Sequence, residues 1–209
     1  MNYNNLIAEF PIISDQISAS ALSVLLRELN ATLDRQVEGD IVEFGCYIGT
    51  SCLFLRRLLD SREESGKRQL HAYDSFEGLP AKTTPDQSGV GLEFQAGQLS
   101  VSKKQFLLEF HRANVSPPRV HKAWFKDLTP EAIPDVIAFA FLDGDFYESI
   151  LTSLELVWPR LAPLGRITID DYDREALPGV TRAVQKFFSG KHPRIHHEHN
   201  IAIIQKAAS

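Results

Sequence analysis

Aspartates at the ends of short apolar runs are the residues of this 209-residue chain whose type and spacing can do chemistry. Ile137 to Leu142 is an unbroken apolar run that leads straight into Asp143-Gly144-Asp145. A run without alternation fits a strand covered on both faces, as in a parallel sheet, and open α/β sheets bind ligands outside the carboxyl ends of their strands. Further along, Arg166 to Ile169 leads into Asp170-Asp171. If these two strands are neighbours, Asp143, Asp170 and Asp171 meet at one place. Carboxylates that close repel unless a cation neutralises them, and hard oxygen donors suit Mg²⁺ or another divalent ion. Asp145, two residues beyond Asp143, is placed to act as a general base. It is also a residue type favoured as a helix N-cap, and a helix follows it.

The elements that must position these acids can be read from periodicity and punctuation. Asp40 to Phe44 reads as the first strand, followed by Gly45-Cys46-Tyr47-Ile48-Gly49 and a helical pattern from Thr50 to Leu59. The loop has G-x-x-x-G spacing rather than the G-x-G-x-x-G of dinucleotide folds; its glycines let backbone approach a ligand closely. Gln69 to Tyr73 is a second strand ending in Asp74, an acid placed to hold both hydroxyls of a ribose. Residues 81–97 are rich in Gly, Pro, Ser, Thr and Gln and read as a flexible lid. Helical spacing covers Ile17 to Arg35, Val101 to Asn114, the stretch around Ile150 to Leu161, and the residues after Pro178. A turn is expected at Pro163-Leu164-Gly165. Arg194 to His197 and Ile201 to Ile204 read as a terminal antiparallel pair, and residues 1–15 as an irregular arm.

Composition narrows the partners. A net charge of −5 and a pI near 5.8 argue against non-specific binding to nucleic acid or to an anionic membrane. No stretch approaches the roughly 20 apolar residues of a membrane span, and the N-terminus lacks the basic start of a signal peptide. A cytoplasmic protein is the expectation. Cys46 and Cys52 fit neither a redox nor a zinc spacing and read as buried thiols. His192, His196, His197 and His199 read as a solvated hairpin, because alternate strand residues point to opposite faces.

The order of elements, the EFGxxxG loop, the acid after the second strand and the terminal strand pair resemble a class I S-adenosylmethionine (SAM) methyltransferase. IVEFGCYIGTS (41–51), YDSFEGLP (73–80), AWFKDLTP (123–130), LDGDFYES (142–149) and IDDYD (169–173) resemble the macrocin O-methyltransferase family, which methylates sugar hydroxyls of antibiotics. The resemblance implies a Rossmann-like α/β fold: a mostly parallel seven-stranded sheet with an antiparallel terminal strand and helices on both faces. It implies residues 1–39 as an N-terminal arm and helix, and 40–209 as the methyltransferase domain. Glu43, Gly45 and the backbone of Cys46, Tyr47 and Gly49, with Thr50, would line the methionine end of SAM. Asp74 would hold the ribose, with Ser75 and Phe76 beside the adenosine and Ala123, Trp124 and Phe125 near the adenine. Asp143, Asp170 and Asp171 would bind the ion, and Asp145 would be the base. The acceptor would be a small molecule with vicinal hydroxyls, in natural-product biosynthesis. A homo-oligomer is compatible with the sequence.

Two other acceptors of the same residues stay open. A catechol or phenol presents the same vicinal oxygens to an ion. An Asp-x-Asp glycosyltransferase would use Asp143-Gly144-Asp145 for a nucleotide-sugar diphosphate, but gives no role to the glycine loop or to Asp170-Asp171.

Overall fold

The structure, a computed structural model, describes residues 3–90, 94–191 and 193–208. Among them, seven strands form one sheet: β1 (Asp40–Phe44), β2 (Leu70–Asp74), β3 (Arg119–Lys122), β4 (Ile137–Leu142), β5 (Leu161–Ile169), β6 (Ile195–Glu198) and β7 (Ile201–Gln205). Their order is β3-β2-β1-β4-β5-β7-β6. The strands β1 to β5 pair in parallel, β7 runs antiparallel to β5, and β6 closes a hairpin on β7. Strand order reverses between β1 and β4, which is where doubly wound sheets open a crevice.

Every residue of β4 is buried, the reason its sequence shows no polar alternation. One apolar layer joins the sheet to α2 (Ala19–Asp34), α3 (Thr50–Ser61) and α4 (Lys103–Arg112) through Leu25, Phe54 and Phe106. The other joins it to α5 (Tyr147–Val157) and α6 (Pro178–Phe187) through Ile150, Leu154 and Val184. Local chemistry sets the helix starts: the Ser18 hydroxyl accepts from the Ala21 N–H at 3.1 Å, and Ser102 with Gln105 forms a capping box. No helix among the described residues is long and apolar enough to cross a membrane.

Three expectations about the chain's irregular parts are corrected. The arm contains α1 (Tyr3–Glu9), too short for periodicity to reveal, with Leu6 buried. Just beyond it, the Arg57 guanidinium lies 3.9 Å from the centre of the Phe10 ring and fixes the arm to α3. The turn expected at Pro163-Leu164-Gly165 is instead part of β5. Leu164 adopts φ of 64° and the pairing with β4 shifts register between Ile137 and Phe139, so a bulge absorbs the proline. The lid is not free along its length. Within its described part, a 3-10 turn (Thr84–Asp86) packs on α6, and Asp86 is only 2% exposed. Residues 91–93 of that lid, and His192 of the histidine-rich tail, lie outside the described residues.

Candidate active site

Because β1, β4 and β5 lie side by side in register, the residues that follow them emerge together. The Asp143 N–H donates to the Phe44 carbonyl at 2.8 Å, and the Asp170 N–H to the Leu142 carbonyl at 2.9 Å. Gly45 makes this closeness possible. Its φ is 88°, and a Cβ there would stand 1.8 Å from the Asp143 carbonyl oxygen. Gly45→Ala is therefore expected to cost on the order of 3 kcal/mol, read as a lowered urea midpoint. An unchanged midpoint would mean that this contact yields freely.

The acids converge, with one change to the expected set. Carboxylate oxygens of Asp143, Asp145 and Asp171 all lie within 4.8 Å of one another. Asp170 is not in that group; its Oδ1 accepts the Asp171 N–H at 2.9 Å. Asp145 and Asp171 both hold positive φ, 60° and 55°, which turns each chain sharply just past its strand.

Desolvation pushes the Asp143 carboxyl well above the usual range, and Asp170 and Asp145 add repulsion. Asp145 is raised first by desolvation and then by Asp171 and Asp170. Asp170 is pushed up to about 7 by burial and the Asp171 charge. Asp171 is raised by burial, opposed by Arg174, whose guanidinium donates to Asp171 Oδ1 at 2.5 Å. A hard divalent cation fits this donor set, since it replaces repulsion among desolvated carboxylates with coordination.

A pH dependence follows. Between the ordinary aspartate pKa and the raised ones, the folded chain binds protons that the unfolded chain has released, so stability falls as pH rises through about 7, the Asp170 value. An ion held by the cluster removes that loss. Saturating Mg²⁺ is expected to raise Tm by roughly 5 °C or more at pH 8 and by much less at pH 5. Equal shifts at both pH values would place the bound ions elsewhere.

The structure separates Asp145 from the N-cap role. The N-cap of α5 is Phe146, with no side-chain cap, and the Tyr147 N–H donates to Asp86 Oδ1 at 2.7 Å. Asp86 Oδ2 takes the Thr83 N–H at 2.8 Å and the Thr83 hydroxyl at 2.7 Å. On its other side stands Gly179 of α6, where a Cβ would lie 1.9 Å from Asp86 Oδ1. One carboxylate from the lid thus caps the start of α5, where the helix dipole favours negative charge, and closes its own 3-10 turn. Asp86→Ala is expected to lose about 1–2 kcal/mol and to loosen the lid, read as a lower Tm and faster proteolysis near residue 85. Parent-like behaviour in both would contradict this anchor.

Around the glycine loop, Asp74 is already engaged. Its Oδ2 accepts the N–H groups of Cys46 at 2.8 Å and Tyr47 at 3.0 Å, and its Oδ1 that of Phe76 at 2.7 Å. Tyr47 and Phe76 are both at positive φ, 44° and 55°. Asp74 therefore holds the loop against the tip of β2 and keeps limited acceptor capacity for a ligand.

Of the residues expected at the cofactor, Gly45, Tyr47, Asp74, Ser75, Trp124 and Phe125 line the cleft, as do Asp143, Asp145 and Asp171. Glu43 does not. It is wholly buried beneath the loop, its Oε1 accepts the Ser51 hydroxyl at 2.5 Å, and the Cys52 thiol also stands against its carboxyl. Burial pushes its pKa up to about 8. Cys46 is buried with its thiol toward the Tyr73 carbonyl, and Phe76 packs on Phe106. Gly49 abuts the Phe106 ring, and the Thr50 hydroxyl meets Ser14 at 2.9 Å. Ala123 contributes its N–H to the Asp74 carbonyl at 3.0 Å. The cleft also takes Gln16, Phe94, Ser149 and Arg174, which sequence reasoning missed. Arg174 had a signal, a cation three residues past an acid pair; Phe94 fell within the expected lid and Ser149 within the LDGDFYES segment, and Gln16 had none.

The chain matches the family model described as Macrocin-O-methyltransferase (TylF) over residues 15–201. It is 38% identical over 146 residues to the 8-demethyl-8-(2,3-dimethoxy-alpha-L-rhamnosyl)-tetracenomycin-C 4'-O-methyltransferase of Streptomyces olivaceus, covering 67% of this chain and 55% of that protein. It is 30% identical over 145 residues to the demethyldecarbamoylnovobiocin O-methyltransferase of Streptomyces niveus, again covering 67% of this chain and 55% of the relative. These matches span little more than half the length of either relative. Among solved structures, the O-methyltransferase NovP superposes with a TM-score of 0.82 over 98% of this chain and 88% of its own, at 23% identity. The Rossmann-like class I methyltransferase fold expected from the sequence is the fold observed.

Proposed function

Because the chain belongs to the macrocin O-methyltransferase (TylF) family, we propose that it moves a methyl group from SAM to a hydroxyl of a sugar or sugar-bearing natural product, with a divalent cation such as Mg²⁺. The observation that carries this reading is the desolvated carboxylate cluster beside the glycine loop, at the crevice between β1 and β4. When bound, SAM supplies an already activated methyl group. When bound, the divalent ion supplies charge that orients vicinal hydroxyls and lowers their pKa.

The chain's own residues do the rest. Asp143 and Asp171 hold the ion, with Asp170 behind them fixing the Asp171 backbone. Asp145 accepts the proton of the attacking hydroxyl on its carboxylate. Tyr47, Asp74, Ser75, Trp124 and Phe125 hold the cofactor, the aromatic rings offering a flat base a face or an edge. Gly45, Gly49 and Thr50 shape that pocket through the backbone. Glu43, Cys46, Phe76 and Ala123 act one layer back, by fixing the loop and the tip of β2. Alignment of hydroxyl and methyl in a partly closed cleft supplies much of the acceleration. The glycosyltransferase reading falls away with the family assignment.

Transfer of tritiated methyl from SAM to a panel of rhamnosides and catechols, with and without EDTA, tests the proposal. Label on a sugar hydroxyl, lost with chelator and restored by Mg²⁺, is the expected result. Label on catechols alone would favour the phenol alternative. Sugar methylation that survives chelation would remove the ion.

A further inference from the structure

The segment between α1 and α2, residues 10–18, runs past the start of α3 and is anchored there. The Ser14 and Thr50 hydroxyls share a hydrogen bond of 2.9 Å, and Thr50 is the first residue of α3. Ile17 is buried, and the Ser18 hydroxyl caps α2. Gln16 stands between these anchors and lines the cleft together with Gly45 and Tyr47 of the glycine loop. Its Nε2 donates one N–H to Asp15 Oδ1 at 2.8 Å, which sets the orientation of the amide. The second N–H of that nitrogen makes no bond to any described residue. The charge of the cleft is lopsided. Asp74, Asp143, Asp145 and Asp171 line it, and among the described residues the one cation in its wall is Arg174, already bonded to Asp171. A ligand's ammonium therefore has acids to meet, whereas a ligand's carboxylate on the glycine-loop side has only neutral donors.

We propose that Gln16 binds the α-carboxylate of SAM through its free amide N–H, so that the segment before α2 is part of the cofactor site. The inference rests on the methyltransferase reading above. Under that reading the ribose is held at Asp74, which ends β2, and the base lies by Trp124 and Phe125, which follow β3. Strand order is β3-β2-β1-β4, so the amino acid end of the cofactor runs toward β1 and the α3 that follows it. That is where the bond between Ser14 and Thr50 holds Gln16. A hydrogen bond to an ionised acceptor is stronger than one between neutral groups. An amide oriented beforehand by Asp15, on backbone anchored on both sides, loses little freedom when it binds.

The test is calorimetry on the full chain with two probes, S-adenosylhomocysteine and its decarboxylated analogue, 5′-(3-aminopropylthio)-5′-deoxyadenosine. The analogue keeps base, ribose, thioether and ammonium and lacks only the carboxylate. Absence of S-adenosylhomocysteine binding to the parent would overturn the methyltransferase reading and this inference with it. With that binding present, the parent is expected to hold S-adenosylhomocysteine at least tenfold more tightly than the analogue. Gln16→Ala is expected to weaken S-adenosylhomocysteine at least fivefold and the analogue less than twofold. Gln16→Glu keeps the size of the side chain and sets a charge against the carboxylate. It is expected to weaken S-adenosylhomocysteine more than Gln16→Ala does, and not to weaken the analogue. A purely structural role for Gln16 would weaken both probes alike in either variant, and that result would overturn the proposal. S-adenosylhomocysteine binding within twofold of the parent in Gln16→Ala would overturn it as well, leaving the methyltransferase reading in place.

Discussion

Asp145→Asn is expected to lower turnover about a thousandfold while SAM affinity stays within about twofold of the parent. The expectation rests on position and on the absence of another duty. Asp145 stands in the carboxylate group with Asp143 and Asp171, while the start of α5 is capped by Asp86. Its φ of 60° is one that asparagine tolerates nearly as well as aspartate, so the backbone should survive the change. An amide keeps the shape but cannot take the hydroxyl proton. A base acts on the chemical step, so kcat should fall and the KM for SAM should not. Measured alongside, Mg²⁺ affinity separates base from ligand: a base leaves it nearly intact, whereas a ligand's loss weakens it strongly. Turnover within tenfold of the parent would remove Asp145 as the base.

The second large effect is at Asp143, where two opposite outcomes are expected from one substitution. Asp143→Asn should weaken Mg²⁺ binding at least about a hundredfold and abolish measurable turnover, since it removes one of the two charged donors, Asp143 and Asp171, assigned to the ion. Without ion at pH 8, the same variant should be at least as stable as the parent. The carboxylate is desolvated and repelled by Asp170 and Asp145, and the amide carries no charge to repel. A site held ready for an ion costs stability when it stands without one. Calorimetric ion titration and thermal melts with and without Mg²⁺ read both outcomes. A variant that is less stable without ion and still stabilised by Mg²⁺ would contradict the account of the cluster.

The readability of these features in the sequence follows from how local their causes are. Ile137 to Leu142 announces β4 because burial on both faces forbids alternation, and the acids at its tip stand out against it. The bounds of Asp40–Phe44 follow from the glycines on either side. Glu43 stays beneath the loop rather than on the cleft wall because strand alternation turns it away. Val42 and Phe44 share one apolar layer, so Glu43 must face the other way, toward Ser51. The Asp86 cap could not be found from pattern at all, because 61 residues separate it from Tyr147 and only the fold joins them. That Asp145 stands with Asp143 and Asp171 could not be read from pattern, since Asp145 and Asp171 hold positive φ that sequence does not display. Arg174 follows Asp171 by three residues, but its place 5.4 Å from the centre of the Phe94 ring depends on how the lid is anchored.

The most direct test of the central claim is a calorimetric titration of the purified protein with SAM in the presence of Mg²⁺, repeated with Asp74→Ala. Asp74 both ties the glycine loop and faces the cleft, so the account predicts micromolar SAM binding in the parent and its loss in the variant. No heat with SAM in the parent, or equal affinity in the two proteins, would contradict the assignment of this cleft as the cofactor site.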